Sequence, residues 1–120
     1  MIDKDKLNDA LRQMGNDHLK CPFKERWTPE HPTTGYCYLV TKVLYYYCYP
    51  ESQPYVVTMN GNEDHWFLKT KTCKIIDLTA DQFDTTPPWN LGKPRNYKTK
   101  IISKSVKDLA KRLGFDKPIR

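Results

Sequence analysis

Apolar positions recur at helical spacing near the beginning of the chain. Within residues 3–14, Leu7, Leu11 and Met14 lie three or four positions apart, and polar residues fill most of the positions between them. This spacing predicts an amphipathic helix. Gly15 follows directly, and glycine is a frequent residue at helix ends. One side of this helix is therefore expected to pack against a core.

The segment over residues 35–49 is apolar on nearly every side of a helix. It reads GYCYLVTKVLYYYCY, it is preceded by Thr33 or Thr34 as a candidate N-terminal cap, and Pro50 follows it. A helix without a polar face is buried. We therefore predict a central, buried helix, with a strand as the alternative because the segment is rich in aromatic and β-branched residues.

Three strands are predicted in the second half of the chain. Residues 55–59 and 65–70 read as strands, with turn residues at 60–62 between them. A tight turn at 71–72 then leads to a third strand over 73–78. Strands joined by such short turns pair antiparallel. A small antiparallel sheet is therefore expected.

The other segments complete one α+β domain over residues 1–120, in which the central helix packs against the antiparallel sheet. The remaining predicted elements are a loop over 16–34, a helical turn over 80–83 capped by Thr79, a strand over 97–102, and a helix from Ser105 to Gly114.

Composition narrows the class of protein. No segment approaches the roughly 20 apolar residues of a membrane span, and the polar N-terminal residues lack the apolar core of a signal peptide. The four cysteines are too few and too widely spaced for a disulfide scaffold. A zinc site from His18, Cys21 and His31 would need unusual spacing. We expect a soluble cytoplasmic protein with free thiols, no cofactor, no metal and no membrane contact.

The positive charge is concentrated in the segment 91–120. This segment has ten Lys or Arg and two Asp or Glu, a net +8, whereas residues 1–90 have ten and twelve, a net −2. Such a basic segment would attract nucleic acid or an acidic protein. A solvated, charged helix face is the ordinary structural interpretation of the same pattern.

Three short patterns, GYC, DHW and DLT, place Cys37, His65 and Asp77 in order along the chain. A thiol nucleophile requires a base that forms the thiolate, and the base requires a carboxylate that holds its tautomer. The order therefore predicts an enzyme of the cysteine acyl-transfer type. It does not identify the substrate.

The predicted elements bring these residues into contexts that suit the chemistry. Cys37 would lie in the first turn of the central helix, where the partial positive charge and unpaired N–H groups favour a thiolate and can hold an oxyanion. Gly35 permits a close backbone approach. His65 begins one strand and Asp77 ends the next, so their side chains can meet across the ladder. A core cysteine, a surface histidine and a strand-end cap are the ordinary alternatives.

The same residues resemble the core of transglutaminase-like and papain-like proteins. More narrowly, WTPEHP at 27–32, GYC, HW at 65–66, DLT, and QF at 82–83 resemble the YunG family of small bacterial and phage proteins. The resemblance covers about residues 27–83. It implies a Cys-His-Asp triad that acts on amides by hydrolysis, deamidation or acyl transfer to an amine. The chain has His31 where we expect Asn from this family, and Tyr36 where we expect Gln.

The resemblance also directs attention to four residues around the triad, each with two possible roles. Papain-like enzymes place an oxyanion-hole Gln six residues before the nucleophile, and His31 holds that position here. His31 is therefore either an oxyanion donor or an ordinary loop histidine, and Trp27 either forms a wall of the cleft or anchors its loop. Gln82 either orients the substrate or caps the turn after Asp77. Trp66 is either a platform for the substrate or a core residue.

Two functional hypotheses follow from the sequence. In the first, the chain is a cysteine-dependent enzyme whose substrate is a protein or a small amide. In the second, it is a non-catalytic binding module of the same fold. Its basic segment 91–120 then contacts nucleic acid or an acidic protein. A third idea joins the two, with this segment recruiting an acidic substrate to Cys37.

Overall fold

The computed structural model describes residues 2–17, 19–59, 62–97 and 102–120. These residues form four α-helices and one four-stranded antiparallel sheet, which confirms the predicted α+β class. The elements are α1 (Lys4–Met14), α2 (Phe23–Arg26), α3 (Cys37–Tyr47), β1 (Ser52–Met59), β2 (Glu63–Thr70), β3 (Ile75–Ile76), β4 (Lys93–Pro94) and α4 (Lys104–Arg112), with 3₁₀ turns at Ala80–Gln82 and Trp89–Leu91.

Helix α1 lies where the apolar spacing predicts it. Its N-terminal cap is Asp3, whose carboxylate accepts the Asp5 N–H at 2.9 Å. At the other end Gly15 has a φ of 70° and donates its N–H to the Leu11 carbonyl. A positive φ is the conformation that favours glycine at a helix end.

Helix α3 is the predicted central helix, but its predicted cap is wrong. The helix starts at Cys37 after Tyr36, and no side chain caps its first turn. Gly35, with a φ of 78°, turns the chain between the threonines and the helix. The buried Thr33 hydroxyl donates instead to the Asp81 carboxylate at 2.8 Å.

The sheet has the strand order β3-β2-β1-β4. Strands β1 and β2 form the predicted hairpin, with Val57 opposite His65. Two of its predicted turn residues, Asn60 and Gly61, lie outside the described residues. On the other side of β2, Leu68 pairs with Ile76 of β3.

The third and fourth strands differ from the prediction. Strand β3 has two residues because Cys73 adopts a φ of 66° and the Thr70 N–H bonds the Lys74 carbonyl, so the turn continues to residue 74. Most of the predicted strand over 97–102 lies outside the described residues, which resume at 102. The fourth strand is β4, which pairs with β1.

The predicted cap of α4 is wrong, whereas Thr79 lies at its predicted N-cap position but makes no side-chain capping bond. Helix α4 is capped by Ser103, whose hydroxyl accepts the Val106 N–H at 3.3 Å, and not by Ser105. The predicted turn after Thr79 is present as a 3₁₀ turn, but the Thr79 hydroxyl does not cap it. The predicted loop over 16–34 contains the short helix α2.

Two clusters of apolar side chains enclose the sheet. The larger one joins α1, α3 and α4 with Leu68 of β2, and the smaller one contains Val57, Met59 and Phe67. Helix α3 packs against both β2 and α4, and its first residue, Cys37, contacts the Asp64 carbonyl on the strand that carries His65. No helix in the described part of the chain is long and apolar enough to cross a membrane.

Candidate active site

Cys37 occupies the N-terminus of the buried helix α3. Its side chain is mostly buried, with 9% of the residue exposed, and the thiol lies 3.9 Å from the Asp64 carbonyl oxygen. The first backbone hydrogen bond of the helix runs from the Val40 N–H to the Tyr36 carbonyl. The helix start thus presents uncapped N–H groups and partial positive charge beside the thiol.

His65 lies on β2 with none of its surface exposed. Its Nε2 is 2.6 Å from the Asp77 Oδ2. In the described part of the chain its Nδ1 has no hydrogen-bond partner. The ring lies edge-on to Phe83 at 4.8 Å and stacks on Phe67 at 6.4 Å. These contacts hold the imidazole in one orientation.

The surroundings of His65 favour its charged form. Burial lowers the pKa of the imidazole, but the hydrogen bond to Asp77, the negative charge of Asp77 and the neighbouring Cys37 side chain together outweigh it and raise the pKa to about 9. At neutral pH the ring is therefore an imidazolium. The site therefore has a positive charge beside the Cys37 side chain.

Asp77 is the most heavily hydrogen-bonded group of the site. Its side chain is 2% exposed. Oδ2 accepts from His65 and from the Trp89 indole N–H at 2.8 Å. Oδ1 accepts the Thr79 N–H at 3.2 Å, and the Thr79 hydroxyl lies 3.5 Å away. The position directly after β3 places Asp77 diagonally across from His65, so the predicted meeting of these two side chains is observed.

Gln82 ties the loop before the cysteine to the loop after the aspartate. Its Oε1 accepts the Gly35 N–H and its Nε2 donates to the Thr79 carbonyl, both at 3.1 Å. Both polar atoms of the Gln82 side-chain amide therefore form hydrogen bonds with backbone groups. The bond to the Thr79 carbonyl lies at the turn after Asp77 that Gln82 is predicted to cap, whereas the bond to Gly35 was not predicted.

The other three predicted residues, Trp27, His31 and Trp66, make contacts away from the His65 ring. The Trp27 indole donates to the Pro32 carbonyl at 2.9 Å and anchors its loop. His31 is exposed and pairs with Thr28 through the backbone. Trp66 is half-buried and stacks on Tyr97 at 5.2 Å. No hydrogen bond or ring contact among the described residues joins any of the three to the His65 ring.

Trp89 and Thr79 are site residues that the sequence reasoning missed. The sequence predicts Thr79 only as the cap of the turn that follows it and gives Trp89 no role. The two prolines directly before Trp89 are the local feature of the sequence that bears on it, because proline restricts the backbone of this segment. No feature of the neighbouring sequence indicates that the Trp89 indole bonds Asp77.

In residues 2–17, 19–59, 62–97 and 102–120, no group of three His, Cys, Asp or Glu side chains is arranged to hold a metal ion; His18, a residue of the zinc site considered above, lies outside these ranges. Comparisons with protein-family models, curated proteins and solved structures find no match to this chain.

Proposed function

We propose that the chain is a cysteine-dependent acyl-transfer enzyme that acts on amide bonds. Cys37 is the nucleophile, His65 the acid and base, and Asp77 the residue that orients His65. The supporting observation is the 2.6 Å His65–Asp77 bond, which leaves Nδ1 free for the thiol at the start of α3. On the same grounds we propose a papain-like or transglutaminase-like core, and the motifs over 27–83 extend the proposal to the YunG family.

The first half of the proposed reaction forms a thioester. The Cys37 thiolate attacks the carbonyl carbon of an amide, and a sulfur–carbon bond forms. The oxyanion is held by N–H groups at the start of α3. The His65 imidazolium then gives its Nδ1 proton to the amide nitrogen, the carbon–nitrogen bond breaks, and an amine or ammonia leaves.

The second half returns the enzyme to its starting state. Neutral His65 takes a proton from water or from an acceptor amine, whose oxygen or nitrogen attacks the thioester carbon. The sulfur–carbon bond breaks, Cys37 leaves as thiolate, and His65 is again an imidazolium. Asp77 remains a carboxylate throughout and stabilises the charged ring. Water as acceptor gives hydrolysis or deamidation, and an amine gives transamidation.

The first test is the pH dependence of iodoacetamide alkylation, resolved for each cysteine by mass spectrometry. The exposed Cys73 is an internal reference in the same molecule. At pH of about 6 we expect Cys37 to react about ten-fold faster than Cys73, because an ordinary thiol is almost fully protonated there. His65→Gln should remove this advantage. His31→Gln, which changes an exposed histidine, should preserve it.

Either of two results contradicts the proposal: Cys37 reacts no faster than Cys73, or its rate is the same with and without His65. If Cys37 is activated, incubation with glutamine-containing peptides should give an acyl adduct on Cys37 and release ammonia. Cys37→Ala, which keeps the fold, should abolish both signals.

A second candidate function is the binding of an anionic partner through α4. The exposed Lys104, Lys107 and Lys111 have no carboxylate within ion-pair distance among the described residues, whereas Arg112 pairs with Asp108 at 3.1 Å. A groove of about 390 Å³ beside Lys107 and Lys111 is also lined by Tyr47, Phe115 and Asp116, and the two rings are tilted by 33° with their centroids 6.2 Å apart. Lys98 and Lys100 of the basic segment lie outside the described residues.

A surface with cations beside aromatic rings can bind single-stranded nucleic acid, because the cations attract the phosphates and the rings stack on the bases. The test is the affinity for a fluorescent single-stranded oligonucleotide as salt rises. Binding should weaken steeply, and Lys107→Glu with Lys111→Glu should reduce the salt slope by roughly 1 to 2. Lys20→Glu with Lys24→Glu, a matched pair near α2, should leave the slope unchanged. Absence of binding, or binding that is insensitive to salt, contradicts this candidate.

A further inference from the structure

The Asp77 carboxylate has more donors than the proposed reaction requires. His65 needs one oxygen of Asp77, yet that same Oδ2 also accepts the Trp89 indole N–H at 2.8 Å. Thr79 occupies the other oxygen through its N–H. Asp77 and Thr79 are near neighbours in the chain, whereas Trp89 is brought to Asp77 from a separate turn.

The turn that carries Trp89 is fixed by its surroundings. Pro88 precedes it, and the Gly92 N–H closes it on the Trp89 carbonyl at 3.0 Å. A Cβ added at Gly92 would lie 2.7 Å from Cζ of the fully buried Phe67. Phe67 in turn stacks on the His65 ring. The turn is therefore pressed against the strand that carries the base.

We propose that Trp89 is a positioning residue for the Cys37 reaction: its indole N–H holds the Asp77 carboxylate in the orientation that directs His65 at the thiol. This inference rests on the proposed function. His65 can move with the Asp77 oxygen that it binds, and Trp89 gives that oxygen a second donor from a turn that does not move with His65. The indole also excludes water from that oxygen, which keeps the His65–Asp77 bond short and dry.

The distinguishing variant is Trp89→Phe, which keeps an aromatic ring but removes the N–H donor. The matched control is Trp27→Phe, which also removes an indole hydrogen bond but in the loop over residues 27–32. We expect Trp89→Phe to lower the rate of Cys37 alkylation relative to Cys73 by about ten-fold at pH about 6, as loss of an orienting partner typically does. The control should stay close to wild type.

A second readout does not depend on the thiol. Nuclear magnetic resonance follows exchange of the His65 Nε2 proton with water, with the Val43 backbone N–H in α3 reporting any general loosening. Exchange should be about ten-fold faster in Trp89→Phe than in wild type, and unchanged in the control. A proton that exchanges equally in both variants, or that is already unprotected in wild type, overturns the proposal.

The two proposals fail in different ways. If wild-type Cys37 reacts like an ordinary thiol, the acyl-transfer function is wrong, and proton exchange still decides whether Trp89 holds the pair. If Cys37 is activated but indifferent to Trp89→Phe, the function stands and the positioning role is wrong. Should Trp89→Phe not fold, replacing the indole of Trp89 by benzothiophene keeps the ring shape and removes only the donor.

Discussion

At the scale of single residues, the charge of His65 is the property on which the proposed chemistry depends. A fully buried histidine is ordinarily neutral because burial penalises the ion. Here Asp77 and Cys37 reverse that preference and raise the pKa to about 9. The imidazolium therefore persists from acidic pH through neutrality and is lost only near pH 9. A proton donor for the leaving group is thus available across the physiological range.

The first prediction is that Asp77→Asn lowers the pKa of His65. An amide has no negative charge, so burial then acts against the imidazolium with only Cys37 left to favour it. The ring should lose its proton at a pH well below the wild-type value of about 9. Titration of the His65 ring resonances by nuclear magnetic resonance measures this directly.

A nearby aspartate provides the control for that titration. Asp81 pairs with Lys4 at 3.2 Å and accepts the Thr33 hydroxyl, and no hydrogen bond or ion pair joins it to His65 in the described structure. Asp81→Asn should leave the His65 titration at its wild-type position. An Asp77→Asn protein that titrates like wild type would contradict the assigned cause of the raised pKa.

At the scale of elements, the sequence predicts what periodicity and turn chemistry determine locally. The apolar spacing of α1, the apolar run of α3 and the hairpin of β1 and β2 were all predictable. The caps were not, because Gly35 turns the chain between Thr34 and α3 and frees Thr33 for a distant partner, Asp81. The length of β3 was missed because Cys73 adopts a left-handed conformation that few non-glycine residues adopt.

The residues of the candidate site also include some that the sequence predicts and some that it does not. His65 and Asp77 lie on two adjacent strands, so the contact between their side chains was predictable, as was the position of Cys37 at a helix start. The Trp89 donor comes from a non-adjacent turn, and the Gln82 tie joins two loops that only the tertiary fold brings together. Such long-range hydrogen bonds leave no periodic signal in a single sequence.

The second prediction compares two glycines of similar φ. Gly15 has a φ of 70° with nothing within 4 Å of an added Cβ, whereas Gly35 has a φ of 78° and its Cβ would lie 2.7 Å from the Phe23 Cβ. Gly15→Ala should cost about 1 kcal/mol from backbone strain alone. Gly35→Ala adds a clash and should cost about 3 kcal/mol.

Denaturant unfolding measures both free energies. Because Gly35 lies two residues before Cys37, its replacement should also change the Cys37 alkylation rate, whereas Gly15→Ala should not. Equal unfolding free energies for the two variants would show that the close approach of Phe23 has no energetic consequence.

The third prediction tests which serine caps α4. The Ser103 hydroxyl accepts the Val106 N–H, so Ser103→Ala should lower the free energy of unfolding by about 1 kcal/mol. Ser105 lies inside the helix, and Ser105→Ala should change that free energy by less than about 0.5 kcal/mol. Thermal unfolding of the two variants under identical conditions compares them, and a larger loss for Ser105→Ala would reverse the assignment of the cap.

At the scale of the whole molecule, α3 connects the candidate site to the rest of the core. Its N-terminus holds Cys37, its middle is buried in the larger apolar cluster, and its C-terminal end meets residues 119–120. An eleven-residue helix spans about 16 Å, so its two ends are well separated. Contacts at the far end should therefore affect stability without affecting the thiol.

The fourth prediction follows from this separation. Arg120 donates to the Tyr45 and Tyr49 carbonyls at 2.6 and 2.8 Å, and its guanidinium lies 3.6 Å from the Tyr45 ring centroid. A cation at a helix C-terminus and over an aromatic face is stabilising. Arg120→Ala should lower the free energy of unfolding by about 1 kcal/mol, whereas Lys117→Ala, an exposed cation without such contacts in the described structure, should not. The Cys37 alkylation rate should be unchanged in both variants, and a change in that rate for Arg120→Ala would show that the two ends of α3 are coupled.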